Sequence, residues 1–183
     1  MIIGITGHAR HGKDSIADVI VREYGFQKHA LADVMKDVMR IVFGWNDAHL
    51  YGDLKDVVDP AFGISPRHAL QSFGTEWAQW QLSKYDSFSE VTGRKIWVNS
   101  LLSRISGRVV IPDVRFPHEA EAIRERGGFI IMVRRPGQSV DLTHESERSI
   151  EDIRPDFVIR NGGTLETLGL ETIAMMQQIY KTE

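Results

Sequence analysis

The sequence predicts an α/β fold built on a parallel sheet, and three observations lead there. Short apolar runs rich in β-branched residues recur at Met1–Thr6, Arg108–Pro112, Phe129–Val133 and Phe157–Ile159. Their lack of polar alternation suits strands buried on both faces. Helix-compatible stretches separate these runs, as crossover connections require. A glycine-bearing turn, Gly7 to Gly12, joins the first strand to the first helix.

The first helix is read over Lys13–Tyr24, with Ile16, Ala17, Ile20 and Val21 on one face. Phe26–Ala30 is a weaker strand candidate. From Leu31 to Ser106 apolar residues return at helical spacing, at Val34, Val38, Ile41 and Val42 and again at Leu70, Phe73, Trp77 and Trp80. A stretch this long is no simple loop, so a helical excursion over one end of the sheet is expected. Pro117–Arg126 is a helix opened by proline in its first turn and closed by Gly127-Gly128. Leu165–Tyr180 is the last helix.

With 183 residues, 42% of them apolar and 26% charged, the chain suits one globular domain, 1–183, with no repeat or linker to divide it. A formal net charge of −3 gives no broad basic surface for nucleic acid or membrane, so neither is expected as a partner. The absence of cysteine excludes disulfides, thiolate metal sites and a cysteine nucleophile. Met1–Gly7 lacks the basic flank and long apolar core of a signal peptide, and no run approaches the ~20 apolar residues of a membrane span. A cytoplasmic protein is expected. Arginine outnumbers lysine fifteen to seven, with ten arginines from Arg104 onward. That bias suits bidentate phosphate binding, although genomic codon usage would produce the same count.

Gly7-His8-Ala9-Arg10-His11-Gly12-Lys13 fits the G-x-x-x-x-G-K frame of a phosphate-binding loop. Its glycines let backbone N–H groups turn inward as a nest, the helix N-terminus adds partial positive charge, and Lys13 reaches the β and γ phosphates. Asp14 stands where Ser or Thr ordinarily meets Mg²⁺, and a hydroxyl follows only at Ser15. Either residue could serve the metal. His8 and His11 are read as solvated loop side chains with imidazoles near the triphosphate oxygens. The nucleotide-binding set is therefore Gly7, Arg10, His11, Gly12, Lys13, Asp14 and Ser15, with Asn161 and Gly162 as a candidate shelf for the base.

Ligands of open α/β sheets bind at the carboxyl ends of strands, which places Asp113 and Arg115 on the cleft of Lys13. A hydroxyl acceptor would need Asp113 as general base. A phosphate monoester, largely dianionic at neutral pH, would need none, and arginines would then screen repulsion between two phosphorylated substrates. Asp113 could instead merely cap the following helix and pair with Arg115. Arg134-Arg135-Pro136-Gly137 and the polar stretch to Arg154 suit a closing lid at about 134–154, with few buried contacts to hold it shut alone. Within it His144 and Glu147 could pair at a metal, but no third ligand is spaced nearby.

Gly12-Lys13-Asp14-Ser15 with Ala17-Asp18, Val110-Ile111-Pro112-Asp113-Val114-Arg115 with His118-Glu119, Arg134-Arg135-Pro136-Gly137-Gln138, Thr143-His144 and Asn161-Gly162 together resemble the deoxynucleoside monophosphate kinases of tailed bacteriophages. The Asp after the lysine is itself similar to that family's pattern. The resemblance implies a P-loop, nucleoside-monophosphate-kinase-like α/β fold whose five-stranded parallel sheet has the order 2-3-1-4-5. It also implies ATP with Mg²⁺, a deoxynucleoside monophosphate acceptor, a host-cytoplasm setting if phage-encoded, and often a homodimer. A helical acceptor-binding region at about 31–106 is expected. Catalytic roles fall to Lys13, Asp113, Arg115, Arg134 and Arg135. Arg67 and Gln71, at matching family positions, are expected to bind the acceptor with Trp97, Asp113, Arg115 and Glu119. The rivals are a same-fold kinase for dephospho-coenzyme A or phosphomevalonate, and a GTP switch, which the lack of an Asn-Lys-x-Asp string disfavours.

Overall fold

A computed structural model describes residues 1–140 and 142–182. The strands are β1 (Ile2–Thr6), β2 (Gln27–Lys28), β3 (Val109–Val114), β4 (Phe129–Arg134) and β5 (Phe157–Arg160). The helices are α1 (Lys13–Tyr24), α2 (Asp33–Phe43), α3 (Asp47–Leu50), α4 (Pro66–Gln71), α5 (Asp86–Val91), α6 (Ile96–Leu102), α7 (Pro117–Arg124), α8 (Glu145–Arg148) and α9 (Leu165–Thr182). They fall into two compact units: Met1–Ala30 with the chain from Leu101 on, and Leu31–Ser100. Among the described residues no helix is long and apolar enough to cross a membrane.

In the first unit the strands form one parallel sheet of order β2-β3-β1-β4-β5. β1 is central, with Ile3 opposite Val110 on one side and Phe129 on the other. The sheet is buried because its inner strands carry almost no polar residue: Ile3, Ile5, Val110, Ile131 and Val133, with Ile159 of the edge strand β5, pack against Ile16, Ala17 and Ile20 of α1 and Leu168, Met176 and Ile179 of α9. α9 and α1 are joined further by Tyr24 Oη, which donates to the Ile173 carbonyl at 3.1 Å. On the opposite face Ala120, Ala122 and Ile123 of α7 are buried, as are Ile111, Ile130 and Met132. The weak candidate at Phe26–Ala30 is a two-residue edge strand, its side chains exposed.

The Leu31–Ser100 unit is helical, but two of its faces depart from the expected ones. On α2 the residues turned inward are Lys36 and Met39, whereas Ile41 and Val42 are exposed. Lys36 buries its stem and sets Nζ 3.8 Å from the Tyr51 ring centroid, a cation–π contact that lets a charged residue take an inner position. Met39 joins Trp45, Leu50 and Ala69 in a small core. The second departure is at Ser72–Gln81, which winds as a π-helix. Its wider turn buries Gly74, Thr75, Ala78 and Gln79 and leaves Trp77 and Trp80 exposed, so the 3.6-residue period misassigns both tryptophans.

Ile131 lies fully buried on β4 between both helical layers. Ile131→Ala is expected to lower stability by ~2–5 kcal/mol, read as a lower urea midpoint.

Candidate active site

The turn from β1 into α1 is fixed from two sides. Gly7 has φ 142°, and a Cβ there would stand 2.5 Å from the Val133 carbonyl oxygen. Gly12 has φ 102°, and a Cβ there would meet Asn161 Nδ2 at 2.7 Å. Both positions therefore require glycine. Asn161 Nδ2 donates to the His11 carbonyl at 2.9 Å, and the Asn161 N–H donates to the Arg134 carbonyl at 2.8 Å, so the end of β5 braces the loop. Arg10, at the exposed tip, holds φ 65°.

Lys13 curls over the loop it follows, donating Nζ to the carbonyls of Gly7 at 2.7 Å and His8 at 2.8 Å. Burial, and next the charge of Arg115, pull its pKa from 10.5 down to about 8, against the opposing charges of Glu147, Asp14 and Asp113. The two histidines are buried rather than solvated, with 6% of His8 and 5% of His11 exposed. His11 Nδ1 lies 3.2 Å from the Val133 carbonyl, while its Nε2 is buried without a hydrogen-bond partner. Desolvation lowers the His11 pKa, so the neutral ring is favoured. His8 is enclosed by two carboxylates, Glu147 Oε2 at 3.3 Å and Glu151 Oε1 at 2.7 Å.

At the end of β3, Asp113 is half-buried and its charge is felt at both Lys13 and Glu119. Arg115 follows, donating Nη1 to Glu147 Oε1 at 2.6 Å and Ser146 Oγ at 3.3 Å. α7 is capped by Glu119, whose buried Oε2 accepts the N–H groups of Arg115 at 2.8 Å and Phe116 at 3.1 Å. Burial chiefly, with the nearby Asp113 charge, lifts the Glu119 pKa to about 7 despite those two bonds and Arg115.

Glu147, which the sequence reading singled out only as a conceivable metal partner of His144, joins these parts. Besides Arg115 and His8 it accepts the Ala9 N–H at 3.3 Å. Burial alone would raise its pKa, but Arg115, His8, the Ala9 amide and Lys13 outweigh it and hold the carboxyl below the usual range. His144 instead caps α8, its Nδ1 accepting the Ser146 N–H at 3.2 Å. No cluster of three or more metal-ligating side chains occurs among the described residues. Within the expected lid Ser146, Ile150 and Ile153 are buried, the other described residues from 134 to 154 are exposed or half-buried, and Arg134 and Glu151 form an exposed pair at 3.4 Å. Asp141, inside the expected lid, lies outside the described residues.

Asp14 points outward on α1, its side chain 79% exposed and paired with Lys28 at 3.0 Å, while Ser15 is half-buried. Arg134 and Arg135, with His8, His11, Gln138 and Arg160, line a cavity of about 400 Å³ beside the loop. A larger cavity of about 560 Å³, between β4, β5 and α9, includes no loop residue. Gly162, just after Asn161, is exposed. In the Leu31–Ser100 unit, Arg67 forms an exposed ion pair with Asp56, Gln71 ends α4, and Trp97 is buried with Nε1 donating to the Gly74 carbonyl at 2.8 Å.

A Gly-x-x-x-x-Gly-Lys loop at the carboxyl end of the central strand of a 2-3-1-4-5 parallel sheet defines a P-loop nucleotide-binding fold. The same fold is found in shikimate kinase from Aquifex aeolicus, which superposes with a TM-score of 0.54 at 12% identity over 100% of both chains. Sequence comparison is more specific. Residues 55–171 match the family model described as deoxynucleotide monophosphate kinase. A protein of Acanthamoeba polyphaga mimivirus, provisionally named a deoxynucleotide monophosphate kinase, is 32% identical over 91% of each chain. The deoxynucleotide monophosphate kinase of Enterobacteria phage T4 is 24% identical, over 91% of this chain and 95% of its own. The chain belongs to the deoxynucleotide monophosphate kinase family, a family of phosphotransferases, and this sets aside both the GTP switch and the non-nucleotide acceptors.

Because the folded Glu119 binds its proton more tightly than the unfolded one, its contribution to stability is complete below pH 4.5 and is lost as pH rises through about 7. Glu119→Gln keeps an acceptor oxygen and removes the titration. Urea unfolding across this range should therefore show wild type losing about 3 kcal/mol relative to the variant, and parallel curves would refute the assignment.

Proposed function

We propose that the enzyme transfers the γ-phosphoryl group of ATP to a deoxynucleoside monophosphate, giving ADP and the deoxynucleoside diphosphate, with the site residues acting as follows. The observation that carries this reading is the convergence of the Ala9 N–H, Arg115 and the charge of Lys13 upon one anionic group, the Glu147 carboxylate. A loop amide, a guanidinium and an ammonium are the donors that phosphate oxygens use. Gly7 and Gly12 let the loop wrap the donor phosphates, and Lys13, released from its two carbonyls, neutralises them. The cavity beside Arg134 and Arg135 suits the nucleoside end of ATP, because the buried His11 Nε2 gives a base or ribose a hydrogen-bonding partner there. Arg10, Asn161 and Gly162 complete that nucleotide set.

With no cluster of three or more metal-ligating side chains among the described residues, the site suits Mg²⁺ that arrives on the nucleotide and keeps most of its water, as this ion prefers. Ser15, half-buried in the first turn of α1, would face it, with Asp14 contributing only if it leaves Lys28. Bound there, the ion would spread charge over the transferring phosphoryl group. Arg115, Arg134 and Arg135 screen the repulsion between the two phosphorylated substrates, and Asp113 orients Arg115 or the metal. Arg67 and Gln71 are assigned to the acceptor by their matching family positions, and Trp97 and Glu119 are placed in the same acceptor set. For Trp97 and Glu119 the support is indirect, since each is committed to a local hydrogen bond and would act by shaping the acceptor's surroundings. Cytoplasmic location, a homodimer and independence from nucleic acid are part of the same proposal.

A panel of deoxynucleoside monophosphates, ribonucleotides and non-nucleotide acceptors in a coupled ADP-release assay tests the reading. Turnover with deoxynucleoside monophosphates is expected, and turnover only with a non-nucleotide acceptor would overturn it. Lys13→Ala should lower the rate 100-fold or more while leaving the circular dichroism spectrum unchanged. Asp113→Asn should lower the pH–rate profile without changing its shape, because a dianionic acceptor needs no deprotonation. Recovery of that variant at high pH would mark Asp113 as a general base.

A further inference from the structure

Glu147 has no part in the chemistry just described, yet it takes the donors that the chemistry needs. Its Oε1 accepts Arg115 Nη1 at 2.6 Å, and its Oε2 lies 3.3 Å from both the Ala9 N–H and His8 Nδ1. Only 14% of its side chain is exposed. The carboxylate therefore stands where the loop, on the reading above, presents itself to phosphate oxygens. A phosphate oxygen and a carboxylate oxygen cannot both occupy the same amide and the same guanidinium edge, and at such range their like charges repel strongly in a partly buried site. One must leave when the other binds.

The element bearing Glu147 is suited to move. α8 is a single turn, Glu145–Arg148, continued by the 3₁₀ turn Ser149–Asp152. Its hold on the loop is largely ionic. Glu147 meets Arg115, His8 and Ala9, and Glu151 meets His8 at 2.7 Å and Arg134 at 3.4 Å. Every one of those partners is a cation, a histidine or an amide that triphosphate oxygens could take over without leaving it buried and unpaired. Exchange of one anion for another thus conserves the pairing of Arg115 while it frees Glu147.

We propose that Glu147 is an internal competitor for the nucleotide: its carboxylate holds the phosphate-side donors of the loop, nucleotide phosphates displace it, and the displacement releases Glu145–Asp152 from the loop. The inference rests on the assignment of the loop to a nucleotide. It gives Glu147 a role in setting nucleotide affinity rather than in transferring the phosphoryl group. It also makes release of the segment an effect of the donor nucleotide alone, before any acceptor binds.

The test is calorimetric titration of the non-hydrolysable ATP analogue adenylyl imidodiphosphate, with Mg²⁺, into wild type, Glu147→Gln and Lys13→Ala. Glu147→Gln keeps the shape and removes the charge. It should bind the analogue about tenfold more tightly than wild type, a modest share of what one unit charge exerts at this range. The nucleotide-free variant should also melt at a lower temperature than wild type, and saturating analogue should raise its melting temperature by more. Equal or weaker binding by Glu147→Gln would overturn the proposal, as would an equal loss of melting temperature with and without analogue, which would make the contact merely structural. A measurement on unaltered protein does not depend on how the variant folds: hydrogen exchange at Glu147–Ile150 should quicken when the analogue binds, and unchanged or slower exchange is again a refutation. The Lys13→Ala arm separates the two levels of the argument. If wild type binds the analogue and Lys13→Ala does not, a failure at Glu147 sinks the competitor alone. If both bind it equally, the nucleotide assignment of the loop falls first.

Discussion

The structure depends on one backbone requirement: a strand must turn sharply into a helix. Gly7 and Gly12 meet it with positive φ, and at each the space a side chain would need is already filled, by the Val133 carbonyl and by Asn161. Those two neighbours come from β4 and from the end of β5. The loop is therefore shaped by strands that follow it in the chain by more than 120 residues, and the order 2-3-1-4-5 is what brings them alongside it. α1 and α9, packed on the same side of the sheet, hold that order in place through the apolar layer they share.

Charge is organised around the same turn. The whole chain is slightly acidic, at −3, but beside the loop burial, and next the charge of Arg115, depress the proton affinity of Lys13. Two buried histidines flank them. The opposing carboxylates are graded by position: Asp14 lies out in solvent, Asp113 is half-buried, Glu119 is withdrawn into the cap of α7 and Glu147 is inserted among the cations. Local placement, rather than net charge, makes this a site for anions.

Most of the sheet unit was legible because parallel strands declare themselves as uninterrupted apolar runs, and the glycine-lysine frame lies within a single continuous stretch. Asp113 and Arg115 were placed by one rule, that strand ends face the ligand, whereas Arg134 came from the polar stretch it opens and Asn161 from the turn after its strand. What the sequence did not reveal depends on distance or on unusual winding. Trp77 and Trp80 were read with an α-helical period through a segment that winds as a π-helix. Lys36 was passed over as polar although an aromatic ring receives its charge. His8 looked like an ordinary loop residue because nothing near it in sequence shows that Glu147 and Glu151, about 140 residues later, would enclose it. Glu147 itself lies in a polar run with several other charged residues, and only the fold distinguishes it from them.

Glu147, whose place among the cations escaped sequence reading, answers a difficulty that the legible residues create. A loop built to attract phosphates gathers an ammonium, a guanidinium and a helix N-terminus into a partly buried space, and each is costly to desolvate without an anion beside it. Two devices in this chain offset that cost. Lys13 uses the carbonyls of Gly7 and His8, and Arg115 uses Glu147. The first is a neutral contact and the second a charged one, and they differ in consequence. Carbonyls give up the ammonium to a phosphate with little opposition, whereas a carboxylate must be expelled, which weakens nucleotide binding but keeps the arginine oriented. A site that handles two phosphorylated substrates gains from that arrangement. It has to hold its cations ready without binding its donor so tightly that release limits turnover, and a displaceable internal anion meets both demands with one residue.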